Sequence, residues 1–277
     1  MTLRATQVFM TRFLREPEFR EQCRAEGVAR FQQELGLDDA EVAMIAAVDL
    51  DQYEHAATSV RDQRAGRTYT VFGALIDELR LYVDYDRLYL EYDRVYSAGW
   101  WQRFAETRRF ETFATDFIVR NGLPEYLIDL ARLCASITKV ADTPKALPEG
   151  STTDPAGLKA VAPTFRASLR RPFEVRVYRH DVLRLLDDPR YREGLAPKRT
   201  RVLIQRDWRQ HKRSRLFPLD EEPLVAALAE GPASALELGE RLPEWSYAQI
   251  LAGLSDLYAD KVVHLEVPAE SVAEYTR

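Results

Sequence analysis

The hydrophobic period of this chain changes once, and it changes across a stretch that suits neither helix nor strand. Upstream, apolar residues recur every three or four positions, the spacing of a helix face. Downstream they alternate with polar ones, the spacing of a half-buried strand. Between them lie Asp142, Thr143, Pro144 and Lys145, then Pro148 through Pro155, and finally Pro163, a composition that reads as linker. A chain of 277 residues is longer than one compact core usually needs. The expected organisation is therefore α+β: a helical domain at 1–141, a linker at 142–163 and a second domain at 164–277.

In the first part, Val8, Phe9, Phe13 and Leu14 follow helical spacing, and Pro17 opens a new helix carrying Phe19 and Cys23. Val28, Phe31 and Leu35 continue the pattern until Gly36 stops it. Asp38 followed by Glu41 is a capping-box signature for the next helix. These short helices read as a bundle ending near Arg64–Gly66. Thr70 to Ser97 reads as one long helix, with Phe72, Leu75, Ile76, Leu79 and Val83 along one stripe. A second stripe of Tyr82, Tyr85, Tyr89, Tyr92 and Tyr96 puts five phenols on one face. Trp100 and Trp101 begin a helix that runs to Asn121-Gly122, and Pro124 opens another that runs to about Val140.

Beyond the linker, Phe173 to His180 reads as a strand that Leu183, Leu185 and Leu186 prolong or flank. Arg201 to Trp208 reads as a second strand and Ser214 to Leu219 as a third. Helices are expected at Glu221–Ala229, Ala233–Leu242 and, capped by Ser246, from Tyr247 to about Asp260. Val262–Val267 is a short closing strand.

Charge is segregated along the chain. Residues 1–157 carry 19 Lys+Arg against 26 Asp+Glu, residues 158–215 carry 17 against 6, and residues 216–277 carry 3 against 12. The basic block therefore lies on the strands and the acidic block on the helices that follow, an arrangement that bears on partners rather than fold. No run of about 18 apolar residues is present to span a membrane. The segment Met1–Met10 lacks the long apolar core of a signal peptide. The two cysteines, Cys23 and Cys134, lie far apart in helical segments and read as buried free thiols. The cytoplasm is the expected compartment. His55, His180, His211 and His264 are scattered over different elements, and no phosphate loop, nucleophile elbow or paired-cysteine motif occurs. No catalytic residue, metal ligand or cofactor is expected in this chain.

The order of three strands then three helices resembles the winged-helix-like, PqqD-like recognition element of ribosomal-peptide modification. The resemblance rests on the strands at Arg201–Asp207 and Leu216–Leu219, on PLVAALAEGPASALELGERL at 223–242 and on ILAGLSDLYADKVV at 250–263. It covers about a third of the chain. In that family a leader peptide adds a strand beside the third strand and rests on the third helix, which is β-augmentation. Carried onto this sequence, the peptide-binding strand would be Arg213, Ser214, Arg215, Leu216 and Phe217, and the helix face Tyr247, Ile250, Leu254 and Leu257. The alternative for these apolar residues is a purely structural core. The tyrosines with Trp100 and Trp101 read either as core or as a partner interface.

The segment 13–49 resembles, more weakly, the small helical subunit of ring-opening dioxygenases. Taken whole, the chain is similar to the TglI-like accessory subunits of multinuclear non-haem iron-dependent oxidases in ribosomal-peptide pathways of the thiaglutamate type. That resemblance implies a heterodimer with an iron-bearing catalytic subunit, a precursor peptide as the second partner, and no chemistry in this chain itself. It implies that the leader is held here while the peptide's cysteine-containing C-terminal segment is presented to the oxidase. The alternatives are a winged-helix transcriptional regulator, disfavoured because the third helix carries Gln249, Asp256 and Asp260 where phosphate contact needs cations, and a ring-opening dioxygenase subunit.

Overall fold

The computed structural model describes residues 3–96, 103–147 and 161–267. By contacts the chain forms two compact units, 1–127 and 128–277. The division falls just inside a helix, upstream of the 142–163 stretch, most of which lies outside the described residues.

The first unit is helical: α1 (Leu3–Arg15), α2 (Pro17–Glu26), α3 (Gln32–Leu35), α4 (Asp39–Ala46), α5 (Leu50–Leu79), α6 (Tyr85–Val95) and α7 (Arg103–Arg120). Phe9, Phe13, Phe19 and Phe31 form its first core, with Phe19 and Phe31 centroids 4.6 Å apart. Cys23 is buried among them as a free thiol, and burial pushes its pKa up to about 11. The Asp38/Glu41 capping box forms as its residue types require, and Gly36 closes α3 at φ 67°, a left-handed conformation glycine adopts without strain.

Two expectations change here. The bundle does not end near Arg64–Gly66, because α5 runs through it. The expected long helix at 70–97 is two helices: α5 ends at Leu79, and Asp84 caps α6 through its carboxylate on the Asp86 N–H, 2.9 Å away. An N-cap carboxylate satisfies an orphan donor that a continuous helix would not have.

The second unit begins with α8 (Tyr126–Asp142), which crosses the division. It continues with β1 (Arg166–Leu169), β2 (Phe173–His180), α9 (Val182–Asp187), β3 (Pro197–Arg206), β4 (Ser214–Pro218), α10 (Pro223–Ala229), β5 (Ala233–Ser234), α11 (Ala235–Arg241), α12 (Tyr247–Ala259) and β6 (Val263–Glu266). The strands make two antiparallel sheets, ordered β5-β1-β6 and β2-β3-β4. Strand β1 was not expected. Leu183, Leu185 and Leu186 do not prolong β2 but sit on the short helix α9.

In the β2-β3-β4 sheet, Glu174, Tyr178, Val202, Ile204, Ser214 and Leu216 share one face by register. Helix α8 lies along that face. Lys139 pairs with Glu174, the Ser214 hydroxyl donates to the Ile137 carbonyl at 3.0 Å, and Asp129 meets His180 Nδ1 at 2.9 Å. On the other face, Phe173, Leu203 and Phe217 join a core built from β1, β6 and helices α10 to α12, with Phe165, Leu238, Ile250, Leu254 and Leu265 at its centre. The two sheets are tied by Gln205. Its buried side-chain amide donates to the carbonyls of Arg170 and Val262, both at 2.8 Å.

Replacing Gln205 with Leu removes both donations while keeping the side chain's bulk. The expected cost is about 2 kcal/mol, read as a lower urea midpoint with an unchanged slope. An unchanged midpoint would show that the amide does not hold the sheets together.

Candidate functional site

The ladder phase of β4 decides which of its backbone groups remain open. Asp207 N–H donates to Arg213 C=O at 2.8 Å, and Leu219 N–H donates to Arg201 C=O at 2.9 Å. With the register Gln205↔Arg215 and Leu203↔Phe217, odd-numbered residues of β4 face β3 and even-numbered ones face outward. Pro218 has no N–H, and its carbonyl accepts from Glu221 N–H at 2.9 Å. Proline with its nitrogen turned off the sheet is the tolerated edge position. The N–H and C=O of Ser214 and Leu216 thus point away from the sheet, without a backbone partner among the described residues.

The side chains around this edge are ordered by charge. Arg213 is exposed in the preceding turn. Arg215 lies between Asp260 (3.2 Å) and Asp207 (3.6 Å). Burial works to raise the Asp207 carboxyl, but hydrogen bonds from the Arg209 and Gln210 N–H groups and the Arg215 guanidinium hold it below the usual carboxylate range. Phe217 packs inward on the core, and Leu216 is half-buried on the α8 face.

On α12 the four expected residues separate. Ile250 and Leu254 have 0 % exposure and are core. Leu257 packs partly against that core, and Tyr247, one residue past the Ser246 cap, is 38 % exposed. The turn of α12 follows from its caps: Ser246 and Gln249 form a capping box, as Ser234 and Glu237 do for α11.

The tyrosines divide too. Tyr82 lies in the turn after α5, 41 % exposed, with its hydroxyl 3.1 Å from that of Tyr126, which donates to Glu78 at 2.9 Å. Tyr85 is half-buried on α6, whereas Tyr89 and Tyr92 are buried. Tyr96 is the C-cap residue, with its ring 5.4 Å from that of Tyr92. Tyr92 packs edge-on against Phe110 at 5.0 Å. Trp100 and Trp101 lie outside the described residues.

A buried ion cluster that the sequence did not announce sits beside these rings. Arg64 donates to Glu106 at 2.5 Å, to Asp93 at 2.7 Å and to the Tyr96 carbonyl at 2.9 Å, and its guanidinium lies 5.0 Å from the Tyr92 ring centroid. Tyr92 donates to the same Glu106 oxygen at 2.8 Å. Burial raises Asp93 above the ordinary aspartate range against the pull of Arg64. Arg64 was read only as the end of a bundle. Its neighbours Arg61, Asp62, Gln63 and Arg67 are polar as well, so no local signal marks Arg64 for burial. Among the described residues, no group of three His, Cys, Asp or Glu side chains is placed to hold a metal ion, and no helix is long and apolar enough to cross a membrane. No protein-family model matches the chain, and no curated protein matches it.

Burial pushes the Tyr85 phenol up to about 12, and it raises Tyr89 and Tyr92 as well. A raised folded pKa gives stability that is complete below the unfolded value, about 10, and is lost as pH rises through the folded one. Urea midpoints are therefore expected to fall between pH 10 and pH 12. Tyr85→Phe should shallow that fall, and an identical profile would show that Tyr85 ionises as freely folded as unfolded.

Proposed function

We propose that this chain is a non-catalytic, peptide-binding partner subunit. It captures the leader of a ribosomally made precursor peptide along β4 and presents the peptide's cysteine-containing C-terminal segment to a separate iron-dependent oxidase. The observation that carries the reading is the open edge at Ser214 and Leu216, set among basic residues and followed by three helices. An extended peptide gains affinity from such an edge through its backbone, and register from side-chain contacts. The exposed Arg213 suits an acidic leader, whereas Arg215 is already paired with Asp260 and Asp207. On the helix side, Tyr247 and Leu257 are the residues with surface to offer, and Ile250 and Leu254 support them from within. Tethering the leader raises the effective concentration of the reactive segment at the oxidase without any catalytic group here.

The order of α10, β5, α11, α12 and β6, with β1 between β5 and β6, also supports a winged-helix arrangement. That arrangement is shared by DNA-binding modules. The exposed positions of α12 include Tyr247, Ala248, Gln249, Ala252 and Asp256 and carry no cation, which weighs against insertion into a major groove.

Fluorescence anisotropy of a labelled precursor peptide encoded beside this gene, with labelled duplex DNA in parallel, tests the reading. Sub-micromolar peptide binding is expected. Leu216→Pro removes an outward N–H without touching the β3 ladder, and should weaken binding at least about tenfold, the loss of one or two backbone hydrogen bonds. An unchanged circular dichroism spectrum would show the fold intact. Tight, sequence-selective DNA binding with no peptide binding would overturn the proposal in favour of a regulator.

A further inference from the structure

The opposite edge of the same sheet carries a second row of open backbone groups. Arg206 N–H donates to Pro172 C=O at 3.0 Å. With Phe173↔Gln205 in register, this phase turns even-numbered residues of β2 toward β3 and odd-numbered ones outward. The edge is closed at both ends. Arg171 exchanges both backbone hydrogen bonds with Ala146, each 3.1 Å. At the far end the Asp129 carboxylate accepts from Arg179 N–H at 2.9 Å and His180 N–H at 3.0 Å. Between these stops Val175 and Val177 are 39 % and 51 % exposed, and their outward N–H and C=O groups have no backbone partner among the described residues.

We propose that β2 is a second strand-addition site, taking a short extended segment of a partner protein that alternates apolar, acidic and apolar residues. The alternation follows from the pleat. Residues of an added strand opposite Val175 and Val177 share the valine face. The residue between them shares the face of Arg176, whose side chain is about half exposed and bonds Glu174 at 2.8 Å. The nearest carboxylate on that face, Glu174, is already engaged by Lys139 and Arg176. Across the ladder, Val177 faces Arg201, with exposed Arg199 beyond and Lys198 paired to Asp181 at 3.6 Å. The field over this edge is therefore basic and selects an acidic strand.

The two stops set the length. An added strand must end or turn away where Ala146 occupies the position beside Arg171. A second copy paired about Arg176 fails that condition, because it would bring its His180 opposite Pro172 and its Asp181 onto the position that Ala146 already holds beside Arg171. Pairing centred on Arg176 would also oppose two like charges. The occupant is a tail or loop of another protein. This site stands apart from the β4 edge and does not depend on the peptide-delivery reading.

The probe is a fluorescein-labelled peptide alternating valine and glutamate, titrated with the whole chain. Expected are salt-sensitive binding, an affinity about tenfold weaker in Arg176→Glu, and loss of binding when the probe's valine amides are N-methylated. Leu216→Pro at the other edge should leave it unchanged. The proposal is overturned by absent binding, by binding that N-methylation or Arg176→Glu leaves untouched, or by binding lost in Leu216→Pro. It is equally overturned by self-association of the chain that Val177→Glu abolishes, since a second copy would then be the occupant. Leader binding that fails while this probe binds would end the peptide-delivery reading and leave this site standing.

Discussion

The C-terminal unit depends on one strand that is covered on both faces. From Val202 to Arg206 every residue of β3 is buried, with α8 over one side and the core of α10 to α12 over the other. A central strand in that position cannot leave polar groups to water, so each must be met inside the protein. Gln205 meets this demand by bonding to two carbonyls of the neighbouring sheet. Asp207, just past the strand end, accepts from the Arg209 and Gln210 N–H groups and so turns the chain toward β4.

Covering β3 leaves β2 and β4 as the edges, and exposed edges invite pairing with other chains. This protein limits each rather than closing it. Pro218 and the following turn end the open part of β4, while the Ala146 bridge and the Asp129 carboxylate bound that of β2. The open lengths suit short peptides better than long strands. The surrounding arginines oppose indiscriminate self-pairing while favouring acidic segments.

The helical unit solves a different problem. Its aromatic core is ample, and the cost lies in the charges buried beside it. Removing Arg64 would leave the buried Asp93 and Glu106 carboxylates without the cation they share, the expensive outcome for such clusters. The cluster joins α5, α6 and α7 through the Arg64 side chain, which bonds the Asp93 and Glu106 carboxylates and the Tyr96 carbonyl. The tyrosines next to it are accordingly more core than surface, and Tyr82, in the turn, is the exposed exception.

Local chemistry was legible in the sequence wherever a residue type has one strong local use. The capping residues Asp38, Ser246 and Gly36 act where their side chains require, and β2 forms where its alternation placed a strand, although Val175 and Val177 on its apolar face are exposed while Tyr178 and His180 are buried. The strand at 214 and the helices at 223 and 247 were likewise readable, but which of Arg213 to Phe217 turn their backbone outward, Ser214 and Leu216, follows only from the ladder phase. What only the tertiary structure decided has no local signal. Arg-Ala-Ser-Leu becomes β1 because β5 and β6 flank it, and strand propensity is largely a property of such neighbours. Arg170 is fully buried because Val263 C=O and the Trp208 ring receive it. The break after Leu79 interrupts a periodicity that would have carried one helix onward. Ile250 and Leu254 share the spacing of a binding face but face the core, because a helix pattern states which residues lie together and not what covers them.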